Sequence, residues 1–395
     1  MIKPFGALVA LAIVPCLAMG QQWKVNVEAG KVDREGVPVH VDLELPADAH
    51  TKPACVEQGT SRYPAQLEKQ PGGKTRVWWV VDQLAKGKSE PATIKLGVDC
   101  ADGKFEWKEE PGKWTQLRFD GSPLASYMHE SFDPERIEET KKVYHHVFRP
   151  DGKRLITKGL GGKFPHHRGI FFGYNRITAG DRKLDIWHAR KGEHQAHREI
   201  VNEFLGPVFG GHELRIDWND REGKTFLEET RMLRVFPIDK ETMLIDFRSE
   251  LAAVDGPVRL EGDRQHAGVQ FRAAQALAES NDGRYLRPEK WSDMPANKQF
   301  NGPDHKDLPW NALQYKLDGE PITVAYLSDP KNPDNAEFSE RGYGRFGEYF
   351  PYEVTAKKPL RVHYRFWVST NEKVTREQIE RQYQDMVSPP SVVVE

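Results

Sequence analysis

Hydrophobic residues alternate with polar ones in many short segments of this chain, and this period of two restricts it to a β-rich fold. The clearest segment is 360–368, in which Leu360, Val362 and Tyr364 alternate with Arg361 and His363. Segments of the same kind occur at 214–218, 243–247, 269–273 and 322–326. Asp-Gly and Gly-Gly turns lie between such segments, and helical periodicity is almost absent. The pattern predicts an all-β protein built on a large antiparallel β-sandwich.

A smaller group of strands precedes this region. Alternation is clean over 37–45, and turn signals such as Pro71-Gly72-Gly73 separate it from further strand-like segments. We therefore predict a small β-sandwich domain over residues 22–112, which ends in a linker at Glu109–Gly112. The large β-sandwich domain is expected to occupy residues 113–395.

A single helix is expected near the C terminus. Thr375 and Gln378 have the spacing of a capping box, in which each side chain bonds to the backbone of the other residue. Behind them, Ile379, Tyr383 and Met386 fall on one helical face. This face is expected to pack against the sandwich.

The N-terminal segment has the features of a signal peptide. Lys3 precedes an apolar run at 7–15, and Ala18-Met19-Gly20 offers the small residues of a cleavage site. We expect residues 1–20 to be removed, which predicts a periplasmic or secreted protein with no membrane span in the mature chain. A retained anchor is the alternative, although the run is shorter than the roughly 20 residues of a transmembrane helix.

Removal of this segment would leave Cys55 and Cys100 as the only cysteines. In an exported protein an isolated pair usually forms a disulfide, so we predict the bond Cys55–Cys100. A two-cysteine metal site and two free thiols are the alternatives.

The overall charge excludes one class of partner. The chain has 57 Lys and Arg against 59 Asp and Glu, a formal charge of −2. Nucleic acid binding through bulk positive charge is therefore not expected.

Histidines are concentrated in one part of the chain. Five of the 14 fall within a short stretch: His166, His167, His188, His194 and His197. Imidazole is the side chain best suited to proton transfer near neutral pH. His166, His167 and Arg168 stand directly before Gly169, and three costly polar groups beside a glycine are hard to explain as core. We interpret this segment as part of a functional site, with local packing of single histidines as the alternative.

A metal site is a second interpretation of the same region. His188, His194, His197 and Glu199 are ligand types that zinc, iron or copper prefers. Their spacing matches no established metal motif, and a solvated loop explains His194–His197 equally well. The sequence therefore assigns no cofactor.

Two further polar segments are candidates for the same site. One runs from 261 to 268, directly before the strand at 269–273, and the other runs from 340 to 348. Glycines between charged residues favour loops that present those residues at a cleft, although solvated turns are the alternative. The candidates in the two segments are Asp263, His266, Arg272, Arg341, Tyr343 and Glu348.

Several segments of the chain are similar to a known family. They are 144–152, with His145-His146 and Pro150-Asp151-Gly152, then Pro165–Gly169, Asp185–Trp187 and Pro359–Arg365. In these segments the chain resembles the PmoA-like family of exported bacterial proteins of unknown function, which also carries the label methane oxygenase. The resemblance covers about residues 125–370, and Pro165–Gly169 is its most specific part.

This resemblance implies a fold more than a reaction. It implies a galactose-mutarotase-like supersandwich, of a kind found in bacteria that degrade complex glycans. A methane monooxygenase subunit is an integral membrane protein, whereas this chain has a mean hydropathy of −0.69. Methane oxidation is therefore excluded.

From the resemblance we expect an exported carbohydrate-active enzyme that works by acid–base chemistry. Hydrolysis, lysis and epimerisation of a sugar all fit this expectation. His166 or His167 is expected to act as the acid, with His188 or His266 as supporting donors. The base is expected among Asp185, Asp263 and Glu348.

Other residues are expected to hold the sugar. Arg168 offers a planar fork of donors, and aromatic rings offer faces for sugar rings. The substrate-binding candidates besides Arg168 are Trp187, Tyr174, Asn175, Arg272, Arg341 and Tyr343. A non-catalytic glycan-binding protein is the main alternative, and a metal-dependent hydrolase or oxidase with histidine ligands is the second.

Overall fold

The computed structural model describes residues 21–293 and 301–395, and in these residues 28 strands form four antiparallel sheets. The predicted all-β fold is confirmed. The predicted signal peptide, residues 1–20, lies outside the described residues. Among the described helices, none has the length and apolar character needed to cross a membrane.

The first sheet joins the N-terminal strands to the last strand of the chain. In spatial order it contains β2 (Arg34–Leu43), β5 (Thr75–Leu84), β4 (Ser61–Lys69), β3 (Ala54–Gln58), β6 (Ser89–Leu96), β1 (Gln22–Glu28) and β28 (Ser391–Val394). β28 pairs with β1 and also contacts β2, so the two ends of the sheet approach each other around an apolar core. Cys55 and Cys100 form the predicted disulfide, with their Cα atoms 5.8 Å apart.

The second sheet carries most of the candidate site residues. In spatial order it contains β21 (Asn301–Lys306), β24 (Glu337–Arg341), β25 (Arg345–Tyr349), β19 (Ala267–Arg272), β11 (Ile170–Tyr174), β10 (Tyr144–Val147), β9 (Ser122–Met128), β8 (Trp114–Phe119) and β7 (Phe105–Glu110). The segment Glu109–Gly112, predicted as a linker, forms the end of β7 and the turn into β8. The second sheet thus begins before residue 112.

The third sheet covers the second. In spatial order it contains β14 (His194–Leu205), β15 (Gly210–Asn219), β16 (Thr225–Pro237), β17 (Thr242–Ala253), β27 (Leu360–Ser369), β23 (Glu320–Ser328), β22 (Trp310–Leu317) and β20 (Arg284–Leu286). Alternate residues of β27, from Leu360 to Val368, are buried as the period of two predicts. Their side chains join those of the second sheet in one core, in which the rings of Phe271 and Phe366 lie 5.8 Å apart. The two sheets therefore form the predicted large sandwich.

A fourth, smaller sheet lies beside the sandwich. It contains β13 (Arg182–Leu184), β12 (Arg176–Ala179), β18 (Val258–Glu261) and β26 (Tyr352–Val354). β12 directly follows β11 of the second sheet, and β18 directly precedes β19. The turns after β13 and β18 carry His188 and His266, respectively.

Helices are short except at the C terminus. α1 spans Ile137–Thr140, α2 spans Gln275–Ser280 and α3 spans Arg376–Val387. The predicted capping box of α3 is present: Gln378 N–H donates to Thr375 Oγ1, and Thr375 N–H donates to Gln378 Oε1 at 2.8 Å. Ile379 is fully buried against the outer face of the third sheet, together with apolar residues of the first sheet. α3 thereby ties the first sheet to the sandwich.

Candidate metal centre

Four of the predicted histidines meet in one place. They are His166, His167, His188 and His266, which we call the site cluster. The ring centroids of His166 and His188 lie 5.1 Å apart, those of His188 and His266 4.8 Å, and those of His166 and His266 5.4 Å. One nitrogen from each of these three rings lies within 4.8 Å of the other two. All three rings are partly exposed, whereas His167 is buried and stacks on His266.

Backbone contacts around β11 bring these residues together. Gly169 has a left-handed φ of 42°, and a Cβ atom there would lie 2.0 Å from the carbonyl oxygen of His145. Only glycine fits so close to β10, and this contact fixes the loop that carries His166 and His167. On the other side, the N–H groups of Ile186 and Trp187 donate to the carbonyl oxygen of Tyr174, at the end of β11. The turn that carries His188 is thus held against the same strand.

Two carboxylates orient two of the rings. Asp185 Oδ2 lies 2.8 Å from His188 Nδ1, and Asp263 Oδ1 lies 2.9 Å from His266 Nδ1. A carboxylate partner places the proton on Nδ1, which leaves Nε2 with a free lone pair. This Asp–His arrangement is typical of histidines that bind a metal ion. The spacing Asp-x-x-His occurs in both pairs and is the sequence signal that identifies them.

Asp263 is itself held in place. Asn175 donates from Nδ2 to Asp263 Oδ2 at 2.7 Å, and the Gln265 N–H donates to Asp263 Oδ1 at 3.0 Å. Burial works against ionisation, but the hydrogen bonds from His266, Gln265 and Asn175 outweigh it, and the pKa of Asp263 lies well below its usual range. Asp263 therefore stays a carboxylate near neutral pH. Asn175 supports the cluster through this carboxylate.

The remaining two histidines are neutral at physiological pH. Burial, reinforced by the nearby Lys142 amine, lowers the pKa of His166 to about 3. Burial also lowers the pKa of His167 far below the usual value, with Arg345 as the strongest nearby charge. A proton donor must be protonated before it acts, so these pKa shifts disfavour the predicted acid role of both rings. A neutral imidazole is the form that binds a metal ion.

Lys142 was not predicted from the sequence and lies directly behind the cluster. Its Nζ donates to the carbonyl oxygen of His166 at 2.7 Å and lies 4.2 Å from the centroid of the Phe171 ring. The side chain is buried, and burial lowers its pKa well below the ordinary value. No local pattern distinguishes this lysine from its neighbour Lys141.

The two predicted aromatic residues on this side are core residues. Trp187 is 1% exposed, and its ring lies 5.6 Å from that of His167. Tyr174 is fully buried and donates from its hydroxyl to the carbonyl oxygen of Phe350 at 3.3 Å. Trp187 thus forms a wall behind His167, and Tyr174 supports the sheet.

Two other candidates have their contacts elsewhere. Arg168 is 1% exposed and donates to the backbone carbonyl oxygens of Pro165, at 3.1 Å, and of Glu138. This guanidinium holds the loop against α1. Glu348 lies in the core between the second and third sheets, where Ser328 Oγ donates to it at 2.9 Å and burial raises its pKa to about 7.

Arg272, Arg341 and Tyr343 lie at or just beyond the ends of strands of the second sheet. Arg272 ends β19, Arg341 ends β24, and Tyr343 occupies the turn between β24 and β25. The Tyr343 ring lies 6.4 Å from that of His167 and 5.0 Å from the guanidinium carbon of Arg272. Tyr343 thus borders the site cluster, and the Arg272 guanidinium lies against its ring.

Of the metal ligands suggested from sequence, His188 belongs to the converging group, whereas His194, His197 and Glu199 do not. His194 uses both ring nitrogens on protein groups, the Gly192 carbonyl oxygen at 2.9 Å and the Asn219 amide at 3.1 Å. Glu199 forms an ion pair with Arg215. His197 packs against Tyr127, so β14 carries these residues away from His188. Within the described residues, the group with metal-ligand geometry is His166, His188 and His266.

A second group of histidines surrounds Tyr127 between the second and third sheets. We call it the Tyr127 cluster, and its members are His129, His145, His197 and His212. The Nε2 atoms of His145 and His212 lie 3.0 Å apart, and the Nδ1 atoms of both rings are buried without a hydrogen-bond partner. Burial lowers the pKa of His212 to about 3.

Comparison with known proteins adds a family to this geometry. No curated protein matches the chain. The model of a family of unknown function, DUF6807, matches residues 115–384, a span that contains all four histidines of the site cluster. Because this match covers well over half of the sequence, the chain belongs to the DUF6807 family.

Proposed function

We propose that this protein is an exported, metal-dependent enzyme that acts on a carbohydrate, with a divalent transition-metal ion bound by His166, His188 and His266. The observation that carries the proposal is the convergence of three neutral-capable imidazoles, two of them fixed by carboxylates. On tetrahedral zinc, imidazole nitrogens lie about 3.3 Å apart, so these nitrogens, now within 4.8 Å of one another, would have to move closer to bind one ion. Three histidine ligands leave a position open for water or substrate.

The low pKa values of His166 and His167 leave these rings without a proton to donate. A bound ion would activate the substrate or a water molecule instead. As a Lewis acid it polarises a sugar oxygen or lowers the pKa of a bound water to about 7. Asp185 and Asp263, which bond to Nδ1 of His188 and His266, would leave the Nε2 atoms of these rings to hold the ion. This assignment uses three of the predicted site histidines as ligands, as in the metal-dependent alternative. It replaces the predicted role of His166 or His167 as proton donor.

Support for a sugar substrate and for export comes from the sequence. The resemblance to PmoA-like proteins and to mutarotase-like sandwiches favours a glycan-related role, which the β-sandwich accommodates. The Cys55–Cys100 disulfide fits an oxidising compartment outside the cytosol. The reaction we propose is hydrolysis, lysis or epimerisation at a sugar carbon near the ion.

Metal titration tests the proposal. Calorimetric titration of the chelator-treated full chain with Zn²⁺ is expected to show one tight site. Elemental analysis after dialysis of the zinc-loaded protein is expected to find one equivalent of metal. His188→Ala is expected to bind at least 100-fold more weakly, because it removes one of three ligands.

His363 offers a matched control. Its Nδ1 lies 2.9 Å from Asp329 Oδ2, as in the site cluster, but it belongs to no group of three metal-ligand side chains among the described residues. His363→Ala is expected to bind zinc like the wild type. If the wild type takes up no stoichiometric metal, or if both variants bind like the wild type, the metal centre is refuted. Incubation of the loaded protein with a glycan panel, followed by mass spectrometry, separates catalysis from binding.

A further inference from the structure

Three buried arginines form a row across neighbouring strands of the second sheet. Arg272 on β19 lies directly opposite Arg345 on β25, and Arg345 lies directly opposite Arg341 on β24. Opposed residues on antiparallel strands project from the same face. The three residues are 1%, 0% and 4% exposed, respectively, so three like charges are buried side by side.

None of these guanidinium groups is paired with a carboxylate among the described side chains. Arg272 donates from Nη1 to the carbonyl oxygens of Ala273 and Tyr343, and its Nε and Nη2 are buried without a partner. Arg345 donates to neutral groups as well: Gln270 Oε1 at 3.0 Å, Ser339 Oγ at 2.9 Å and the carbonyl oxygen of Arg264 at 3.2 Å. Arg341 donates to Ser339 Oγ and to a backbone carbonyl oxygen.

The carboxylate closest in sequence to the row, Glu340, forms its hydrogen bonds with residues outside the row. Glu340 accepts two hydrogen bonds from Arg287 and one from Asn311, at 2.7 Å. The side chains that the structure does not describe between 294 and 304 include one carboxylate, Asp304. Among the described side chains, the row therefore has no carboxylate bonded to it, and Glu340 acts on Arg341 and Arg345 only through space.

Such an arrangement is costly in a folded protein. Buried charges are normally paired, and like charges directly opposite each other destabilise a sheet. Burial, together with repulsion from Arg345, lowers the pKa of Arg272 and of Arg341 to about 10. By contrast, the fully buried Arg231 in the third sheet pairs with Glu229 through two bonds of 2.7 and 2.9 Å. A contribution to folding therefore does not explain why these three charges are buried without a carboxylate partner.

The row borders the site cluster. Arg345 bonds to the carbonyl oxygen of Arg264, two residues before His266, and it is the strongest charge acting on His167. The Tyr343 ring lies between Arg272 and Phe164, whose ring centroid is 4.5 Å away. Phe164 is 42% exposed and has a left-handed φ of 55°, which is uncommon for a bulky residue. An exposed aromatic ring therefore lies beside the row and the histidines.

We propose that Arg272, Arg345 and Arg341 form a subsite for an anionic group on the substrate, so that the sugar processed at the metal centre is an acidic one. Guanidinium groups bind carboxylates and sulfate esters through paired, charge-assisted hydrogen bonds. Phe164 and Tyr343 offer ring faces for the apolar side of a pyranose. The inference rests on the proposed function for the place of reaction, and the anionic group supplies the missing counterion when the substrate binds.

Thermal unfolding of the zinc-loaded full chain tests this subsite. The probes are galacturonate, glucuronate, galactose 6-sulfate and galactose, with NaCl added to equal ionic strength. At about 100 times its Kd, an acidic sugar is expected to raise the midpoint by about 3 °C, and galactose by less than 1 °C. A response to the uronates alone assigns a carboxylate, and a response to the sulfate ester alone assigns a sulfated sugar. Equal shifts with galactose and the charged sugars, or no shift with any charged sugar, overturn the proposal.

Substitutions separate recognition from folding. Arg272→Met is expected to abolish the response to acidic sugars while the midpoint without sugar stays constant or rises, because repulsion is removed. Arg231→Met, the matched control, is expected to lower the midpoint, since Glu229 loses its partner, and to keep the response. If Arg272→Met does not fold, Arg341→Gln is used instead and is likewise expected to lose the response to acidic sugars. A variant of the row that folds and responds like the wild type refutes the subsite.

Zinc binding measured on the same samples keeps the two proposals apart. Zinc uptake without a response to acidic sugars removes the anionic subsite and leaves the metal centre. A response to acidic sugars in protein that takes up no zinc removes the metal centre and retains the subsite.

Discussion

The protein contains two groups of four histidines that are built differently. In the site cluster, Asp185 and Asp263 each bond to a ring Nδ1, and three rings are partly exposed. In the Tyr127 cluster, two rings stack on Tyr127 and two meet it edge-on, and the described hydrogen bonds of these rings include none to a carboxylate. His145 and His212 there are 0% and 1% exposed. A high local density of histidine is therefore shared by a candidate binding site and by a packed interior.

Partners of the ring nitrogens distinguish the two clusters. A carboxylate on Nδ1 fixes both the tautomer and the direction of Nε2, which prepares the ring to bind an ion. An imidazole whose Nε2 faces another imidazole shares a proton with it and fills space between sheets. We therefore expect substitutions in the site cluster to change metal binding, and substitutions in the Tyr127 cluster to change stability.

The largest expected effect is the stabilisation of the site cluster by metal. At about 1,000 times its Kd, zinc is expected to raise the free energy of unfolding of the wild type by about 4 kcal/mol. His266→Ala is expected to lose this increase, and His212→Ala is expected to keep it. Chemical denaturation with and without zinc measures both. Equal zinc stabilisation of the His266 variant and the wild type would contradict the division between the clusters.

A slightly smaller effect is expected from opening the Tyr127 cluster. His212→Ala removes a fully buried ring that stacks on Trp107 at 5.2 Å and bonds to His145. The cavity and the unpaired His145 nitrogen are expected to lower the free energy of unfolding by about 2–4 kcal/mol. Denaturation of the zinc-free protein measures this loss. A loss below about 0.5 kcal/mol would show that the cluster has little role in packing.

The carboxylates of the site cluster should have a graded effect. Asp263→Asn keeps the shape of the side chain but weakens its bond to His266, and zinc affinity is expected to fall about 10- to 100-fold. Asp329→Asn beside His363 is the control and should leave zinc affinity unchanged. Calorimetric titration compares the two. Full affinity in the Asp263 variant would mean that this carboxylate does not orient a ligand.

The strands were predictable from the sequence because the pattern that marks a strand depends only on residues that are close along the chain. Alternation along β27 and the capping box of α3 require only near neighbours in the chain, and both are present in the structure. The pairing of β28 with β1 could not be predicted, because no local pattern records which distant strand supplies the edge.

The site was predictable in composition but not in arrangement. His166, His167, His188 and His266 were all candidates, and the structure brings them together. His194 is close to His188 in sequence, yet β14 directs it to Asn219 instead. His266 is remote in sequence but joins His188 through the pairing of β11 with β19. Proximity across a sheet depends on strand order, which the spacing of histidines does not reveal.

The smallest expected effect is a pH dependence that belongs to the Tyr127 cluster. Burial, together with the neighbouring Arg231, lowers the pKa of His212 to about 3, and burial and His212 lower that of His145 well below 6.5. Both rings are thus neutral in the folded state, while in the unfolded chain they take up protons below about pH 6.5. Stability is therefore complete above this pH and falls as the pH decreases, by about 1.4 kcal/mol per pH unit for each ring.

Comparison with one substituted protein isolates this contribution. The zinc-free wild type and His212→Phe share the other groups around Tyr127, namely His129, His145, His197 and Arg231, and they also share the site cluster. The difference between their unfolding free energies should therefore change with a slope of about 1.4 kcal/mol per pH unit between pH 6.5 and 5, above the range in which most carboxylates titrate. Denaturant titrations at half-unit intervals measure it. Parallel profiles in this window would mean that His212 is protonated equally in the folded and unfolded states, and that the two clusters differ less in their interiors than their contacts indicate.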